Sequence, residues 1–147
     1  MKKTFLLVML FLCGAVMLAC SKTTEAETTV TSNSTTSLVP IVYDYSDFSD
    51  LFISEVDLQL YMPQTDYYIY YFQYDCTHCL EIKSEVLQKV ASLTNDTIYF
   101  VVATSQSDVN PQIAVTKTPT LVLISNETFI EAYVGVSAIR DILDILS

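Results

Sequence analysis

Hydrophobic and polar residues divide the 147-residue chain into three zones. Residues 5–19 form an unbroken run of 15 apolar and small residues that follows two lysines. A membrane-spanning helix needs about 20 apolar residues, so residues 1–19 are interpreted as a cleaved secretory signal. Residues 20–37 are rich in serine and threonine and lack a hydrophobic period, which predicts a disordered tether. Strand-like and helix-like patterns occupy only residues 38–147, the predicted folded domain.

Within that domain, the central pattern predicts a strand, a helix and a second strand. Residues 67–72 (YYIYYF) and 98–103 (IYFVVA) are short, continuous apolar runs, which are typical of strands buried on both faces. Between them, apolar residues recur at helical spacing and form one stripe: Ile82, Val86, Val90 and Leu93. A connection of this length and type predicts that the two strands are parallel.

The flanking segments predict the remaining elements. Before the central unit, residues 38–43 suit an edge strand, and a short helix is expected to begin near Ser46. After it, residues 121–124 and 129–134 suit two strands joined by a turn at 125–127. A final helix is expected to begin at about Ser137, just after Gly135.

Composition and charge exclude several classes of protein. A hydrophobic content of 51% argues against a wholly disordered chain, and two glycines are too few for a collagen-like polymer. All 17 acidic residues follow the apolar run, against five basic ones, so the exported part has a formal charge of −12. Such a surface repels phosphate backbones and anionic headgroups, which argues against a nucleic-acid-binding protein.

Two of the four cysteines belong to the N-terminal zones. Cys13 lies in the apolar run and would be removed with it. Cys20 directly follows this run, and a cysteine there resembles the lipobox of bacterial lipoproteins, in which the thiol is acylated and becomes the new N-terminus. Met17 and Leu18 depart from that pattern, which favours leucine and a small residue at these places. The resemblance implies a lipid anchor on the extracytoplasmic face of the cell membrane; cleavage by the ordinary signal peptidase is the alternative.

Cys76 and Cys79 are separated by two residues, and no other cysteine of the domain is available to pair with them. In an exported protein such a pair is a redox dithiol, half of a metal site or an inert local bridge. It lies where the strand 67–72 leads into the predicted helix, so unpaired amides and the helix dipole favour a thiolate at Cys76. Cys79, one turn later, is more shielded. Cys76 is therefore the candidate attacking sulfur and Cys79 the candidate resolving one.

Three features in this order and spacing resemble the thioredoxin family: strand-Cys76-Thr77-His78-Cys79-helix, Thr118-Pro119-Thr120 entering a strand, and Gly135 before the last helix. The resemblance covers most of residues 38–147. It implies an α/β, thioredoxin-like fold with a central mixed sheet of four to five strands flanked by helices. It further implies that Pro119 is cis and faces the dithiol, and that the backbone of Thr118 pairs with an extended substrate segment.

Several positions depart from thioredoxins proper. Tyr70 stands where that family has an aspartate that assists proton transfer, which argues against fast reduction without abolishing exchange. Asp75 replaces a tryptophan, and Thr77-His78 replaces a glycine-proline pair. A histidine between the cysteines resembles protein disulfide isomerases and periplasmic thiol oxidants, so His78 is expected to tune the pKa of the reactive thiol. Asp75 acts in the opposite direction, and the direction of exchange is left open.

These observations lead to the hypothesis of a membrane-tethered, extracytoplasmic thiol-disulfide oxidoreductase. Its expected partners are thiols and disulfides of exported proteins and a membrane protein that recycles the dithiol; a monomer without a cofactor is expected. The alternative is a thioredoxin-fold accessory protein of a transport or secretion system, with an incidental dithiol. A closed zinc site needs four ligands, and His78 is the only histidine, so no metal is expected, although copper capture by Cys76, His78 and Cys79 is a third hypothesis.

Overall fold

The computed structural model describes residues 40–147. The predicted signal (1–19), the tether (20–37) and the lipidation of Cys20 lie outside these residues. The described part contains one four-stranded sheet with two α-helices, in this chain order: β1 (Asp66–Phe72), α1 (Thr77–Ser92), β2 (Ile98–Val102), β3 (Thr120–Ser125), β4 (Thr128–Val134) and α2 (Val136–Leu143). No helix of this part is both long and apolar enough to cross a bilayer.

The strands are arranged in the order β2-β1-β3-β4. The central strand β1 pairs in parallel with β2 and antiparallel with β3, and β4 pairs antiparallel with β3. The predicted mixed sheet flanked by helices is therefore confirmed, with four strands. Both α1 and α2 pack against one face of this sheet and against each other.

Both faces of β1 are buried, which explains its continuous apolar sequence. Tyr70 and Phe72 belong to the core on the helical side, with Ile82 and Val86 of α1. Alternate residues of β1 belong to a second core on the opposite face: Tyr67, Ile69 and Tyr71. Because successive side chains of a strand point to opposite faces, a strand covered on both sides has no polar alternation.

The second core is covered by segments without α-helix. A 3-10 helix at Val56–Leu60 and the connection between β2 and β3 lie over this face. Buried Gln59 joins them: its Nε2 donates to the carbonyl of Asp108 (2.7 Å), while its Oε1 accepts from the backbone N–H of Asn110 (2.8 Å) and the hydroxyl of Tyr71 (2.9 Å). One buried side chain therefore fixes the connection that leads to Thr118 against the sheet.

The predicted edge strand at 38–43 is wrong over the residues that the structure describes. Residues 40–43 lie outside the sheet, and the side chains of Ile41 and Val42 are 68% and 85% exposed. The edge of β2 is instead contacted by Phe52, which forms an isolated parallel bridge with Phe100. The predicted short helix is present as a 3-10 helix at Tyr45–Leu51, capped by the preceding aspartate.

Two turns depend on unusual backbone angles. Asn126 and Glu127 have φ angles of 48° and 59°, as the two central residues of a type I′ hairpin turn require; they join β3 to β4. Gly135, between β4 and α2, has φ 85° and ψ 170°. This region of backbone conformation is accessible essentially only to glycine, so Gly135 sets the direction in which the chain enters α2.

Candidate active site

Cys76 and Cys79 form a disulfide at the start of α1, with their Cα atoms 5.1 Å apart. Cys76 has an extended backbone and is the N-cap residue of the helix; its Sγ accepts a hydrogen bond from the backbone N–H of Cys79 at 3.2 Å. This N–H is one of the donors that have no partner within the helix. It is therefore placed to stabilise negative charge on Cys76 when the disulfide opens.

The two sulfurs differ in access to solvent. Cys76 is partly exposed at the surface, whereas Cys79 is 1% exposed and belongs to the core on the helical side of the sheet. An incoming sulfur in line with the S–S bond can therefore reach Cys76 and not Cys79. The assignment of Cys76 as the attacking residue and Cys79 as the resolving one stays a prediction.

The segment before β3 lies directly against Cys76. The Thr118–Pro119 peptide bond is cis, as the resemblance implies, and the carbonyl oxygen of Thr118 is 3.6 Å from the Cys76 Sγ. The backbone N–H of Gly135 donates to the carbonyl of Pro119 (2.9 Å), and the hydroxyl of Thr120 donates to that of Lys117 (2.7 Å). These bonds hold both ends of the segment beside the disulfide.

A cavity of about 440 Å³ runs along this segment. It is lined by side chains of α1 and α2 and by the loop before β3: His78, Glu81, Lys117, Thr118, Pro119, Gly135, Val136, Ser137 and Arg140. The cavity is open to solvent. Neither cysteine lines it, but its wall includes His78, which lies between them, and Thr118, which contacts Cys76. A peptide segment in extended conformation could pair with the backbone at this place.

His78 lies on the exposed surface of the first turn of α1. Its side chain is 72% exposed, and its Nδ1 is 3.4 Å from Oε2 of Glu81. The negative charge of Glu81 offsets the influence that a charged imidazole would have on Cys76. The structure thus brings His78 to the border of the site, with a neighbour that sequence reasoning did not consider.

Tyr70 is fully buried beneath the site, in the same core as Cys79. Its hydroxyl is the one fully buried side-chain polar atom in the described part of the chain that has no hydrogen-bond partner. Burial raises the pKa of Tyr70 far above that of a free phenol, so the group stays neutral at physiological pH. It does not replace the charge of the aspartate that thioredoxins proper carry at this place.

Tyr74 lies at the surface between β1 and the cysteines and is 59% exposed. Its ring makes edge contacts with Phe72 (5.2 Å between centroids) and Tyr45 (5.8 Å). It also lines an open cavity of about 430 Å³ together with residues of the first 3-10 helix.

Two basic residues of the site were missed from the sequence. Lys117 directly precedes Thr118, so its place in the loop was a signal that could have been used. Arg140 reaches the cavity only because α2 packs beside α1, where it forms a bidentate ion pair with Glu85 at 2.7 Å for both bonds; the chain pattern holds no sign of this contact. Among residues 40–147, no group of three or more metal-ligating side chains comes together.

Comparisons with known proteins agree with this geometry. The thioredoxin family model matches residues 51–147. Among solved structures, thioredoxin f2 from Chlamydomonas reinhardtii has 22% identity and a TM-score of 0.53, and the match covers 65% of this chain and 92% of that one. Oxidised thioredoxin from Plasmodium falciparum has 16% identity and a TM-score of 0.53, covering 63% and 93%. The thioredoxin from Malassezia sympodialis has 21% identity and a TM-score of 0.52, covering 63% and 86%. No curated protein matches the chain.

Proposed function

Because this chain belongs to the thioredoxin family, we propose that it is a membrane-tethered, extracytoplasmic thiol-disulfide oxidoreductase that exchanges disulfides with exported proteins. One observation carries the chemical part of this proposal. The Cys76–Cys79 disulfide lies at the start of α1 with one accessible sulfur, directly beside the cis Thr118–Pro119 bond. A thioredoxin domain with such a disulfide supports thiol-disulfide exchange in general.

In the oxidising direction, a substrate thiolate attacks the Sγ of Cys76 and the bond to Cys79 breaks. The electron pair goes to Cys79, which becomes a thiolate and takes up a proton. A second substrate thiolate then attacks the substrate sulfur of the mixed disulfide, and Cys76 leaves as a thiolate. The N–H of Cys79, already 3.2 Å from the Cys76 Sγ, stabilises this leaving group. The substrate loses two electrons and the protein gains them.

In the reducing direction the same steps run backwards. The Cys76 thiolate attacks a substrate disulfide, and the Cys79 thiolate then releases the reduced substrate. In either direction, the step that forms or breaks the bond to Cys79 requires this residue to exchange a proton, and the neighbouring Tyr70 stays neutral. Water or an exposed carboxylate is therefore the proton carrier in this proposal. The potential of the couple, measured at equilibrium with glutathione, decides the direction: a value near or below that of thioredoxin, about −270 mV, identifies a reductant.

The location is proposed from the N-terminal sequence. A signal at 1–19 followed by Cys20 supports export and acylation. The Ser/Thr-rich residues that follow Cys20 would span roughly 23 Å on average if they behave as a flexible coil. A tether of this reach allows the domain to meet exported proteins close to the membrane.

Trapping of mixed disulfides tests the proposed reaction. In a Cys79→Ser variant the resolving thiol is absent, so covalent complexes between Cys76 and exported proteins should accumulate and disappear on reduction. Cys76→Ser is the matched control and should trap none. If Cys79→Ser captures nothing while the folded protein is present, the accessory-protein alternative is favoured. For the location, Cys20→Ser should abolish incorporation of a labelled fatty acid, and unchanged incorporation contradicts the lipid anchor.

A further inference from the structure

The charges of the domain are distributed unevenly around the site. Residues 40–147 contain 15 aspartates and glutamates but only four lysines and arginines. Two of these four, Lys117 and Arg140, line the cavity beside Pro119, together with a single carboxylate, Glu81. Half of the basic residues in the described part of this acidic domain therefore line one cavity.

Of the basic groups at this cavity, Lys117 is the one whose charge is not paired with a carboxylate of the described residues. Arg140 is neutralised by its bidentate pair with Glu85, and His78 faces Glu81. Lys117 is exposed and forms no salt bridge with any residue of the described part. It also lines the neighbouring cavity on the other side of the loop. Its ammonium group can therefore move along the substrate path without breaking an existing pair.

The position of Lys117 relates it to the reactive sulfur. It precedes Thr118, whose carbonyl is 3.6 Å from the Cys76 Sγ, and its own carbonyl is held by Thr120. An extended segment rises about 3.3 Å per residue, and a lysine side chain is about as long as two residues of such a segment. Lys117 can thus reach a side chain within about three residues of a substrate cysteine bonded to Cys76.

We propose, resting on the function proposed above, that Lys117 is a specificity-determining residue and that the preferred substrates carry an aspartate or glutamate within three residues of the reacting cysteine. The attraction is local. The acidic remainder of the domain repels negative segments that approach elsewhere. The domain therefore accepts an acidic segment only where it also presents a cysteine to Cys76.

The test uses purified, oxidised full-length protein and short peptides with one cysteine. The peptides differ at a single neighbouring position, which is glutamate, glutamine or lysine. For each protein the rate of disulfide exchange with the glutamate peptide is divided by the rate with the glutamine peptide. The charge of the neighbouring residue also changes the reactivity of the peptide's own thiol. This change is the same for every protein, so it cancels when the ratio is compared between proteins. Lys117→Gln and Lys117→Glu are the variants, and Lys89→Gln, which makes the same charge change at the far end of α1, is the control.

Wild type and Lys89→Gln should show the same ratio, and Lys117→Gln should lower it roughly two- to fivefold, as expected for an exposed ion pair. Lys117→Glu should reverse the preference and favour the lysine peptide. Equal ratios in wild type and Lys117→Gln overturn this inference alone. A protein whose disulfide reacts with none of the peptides overturns the proposed function and this inference with it.

Discussion

The adjacent residues Tyr70 and Tyr71 provide a controlled test of what a buried hydroxyl contributes to this fold. Both side chains are fully buried and point to opposite faces of β1. The hydroxyl of Tyr71 donates to Gln59 at 2.9 Å, whereas that of Tyr70 makes no hydrogen bond within 3.5 Å and has the hydroxyl of Tyr45 as a more distant polar neighbour. Changing each tyrosine to phenylalanine removes the same atom and leaves the ring in place. The two variants therefore differ only in the hydrogen bonding of that atom.

The expected effects have opposite signs. A buried polar group without a hydrogen bond costs about 1–3 kcal/mol, so Tyr70→Phe should raise the free energy of unfolding by about 1 kcal/mol once its lost contacts are subtracted. A satisfied hydrogen bond contributes about 1 kcal/mol, so Tyr71→Phe should lower the free energy of unfolding by that amount. The variants should differ by about 2 kcal/mol. For a domain of this size, each 1 kcal/mol corresponds to about 4–8 °C in Tm.

Urea denaturation of the oxidised proteins, followed by circular dichroism, measures both values. The same variants report on the chemistry, because a neutral hydroxyl that takes no part in proton transfer can be removed without slowing exchange. Tyr70→Phe should therefore keep the wild-type rate of disulfide exchange. Equal destabilisation by Tyr70→Phe and Tyr71→Phe would contradict this prediction, since the hydroxyl of Tyr70 would then have a hydrogen-bond partner. A slower exchange rate in Tyr70→Phe would indicate that the hydroxyl interacts with a group that takes part in the exchange.

Two further predictions concern the elements around the site. The pKa of Glu85 is held below its usual value by hydrogen bonds from Arg140, so the pair stabilises the fold above the pKa of an unfolded glutamate and ceases to do so as pH falls through the lower, folded value. Glu85→Gln should therefore lower the free energy of unfolding by up to about 1 kcal/mol near pH 7 and leave it unchanged at a pH below both pKa values of Glu85. Thermal unfolding measures this, and a difference from wild type that stays constant between pH 7 and pH 2 would contradict it. Gly135→Ala should cost about 1–3 kcal/mol through its backbone conformation, although an added Cβ meets no atom within 4 Å; unchanged stability in urea would show that the chain avoids this conformation.

The sequence predicts well those elements whose burial is visible in a short stretch. The short, continuous apolar run at 67–72 predicts a buried strand, and the structure places its side chains in two cores. The prediction of a strand at 38–43 is wrong because it depends on a contact between distant parts of the chain. Periodicity shows that a segment is apolar, but not which of two such segments takes the free edge of β2. Phe52 occupies that edge, and Ile41 and Val42 are left exposed.

The candidate site likewise combines residues that a local pattern predicts with residues that only long-range contacts bring together. Cys76 and Cys79 could be placed at a helix start because the pattern around them is local. The contact between Cys76 and Thr118 joins residues 42 positions apart and was expected only through a family resemblance. Arg140 was not found at all, because its place depends on how two helices pack. Local pattern therefore places the two cysteines at the helix start, while the wall of the cavity beside them is a property of the tertiary structure.

The aromatic contact of Tyr45 shows that the packed core includes residues that precede the match to the family model. The family model begins at residue 51, but the ring of Tyr45, 6% exposed, stacks on Phe72 with 4.2 Å between centroids. A domain cut at the family boundary would uncover the end of β1 just before the turn that leads to Cys76. The residues matched by the family model and the residues packed into the core thus have different limits in this protein. At this end, residues before the family match support the strand that leads to Cys76.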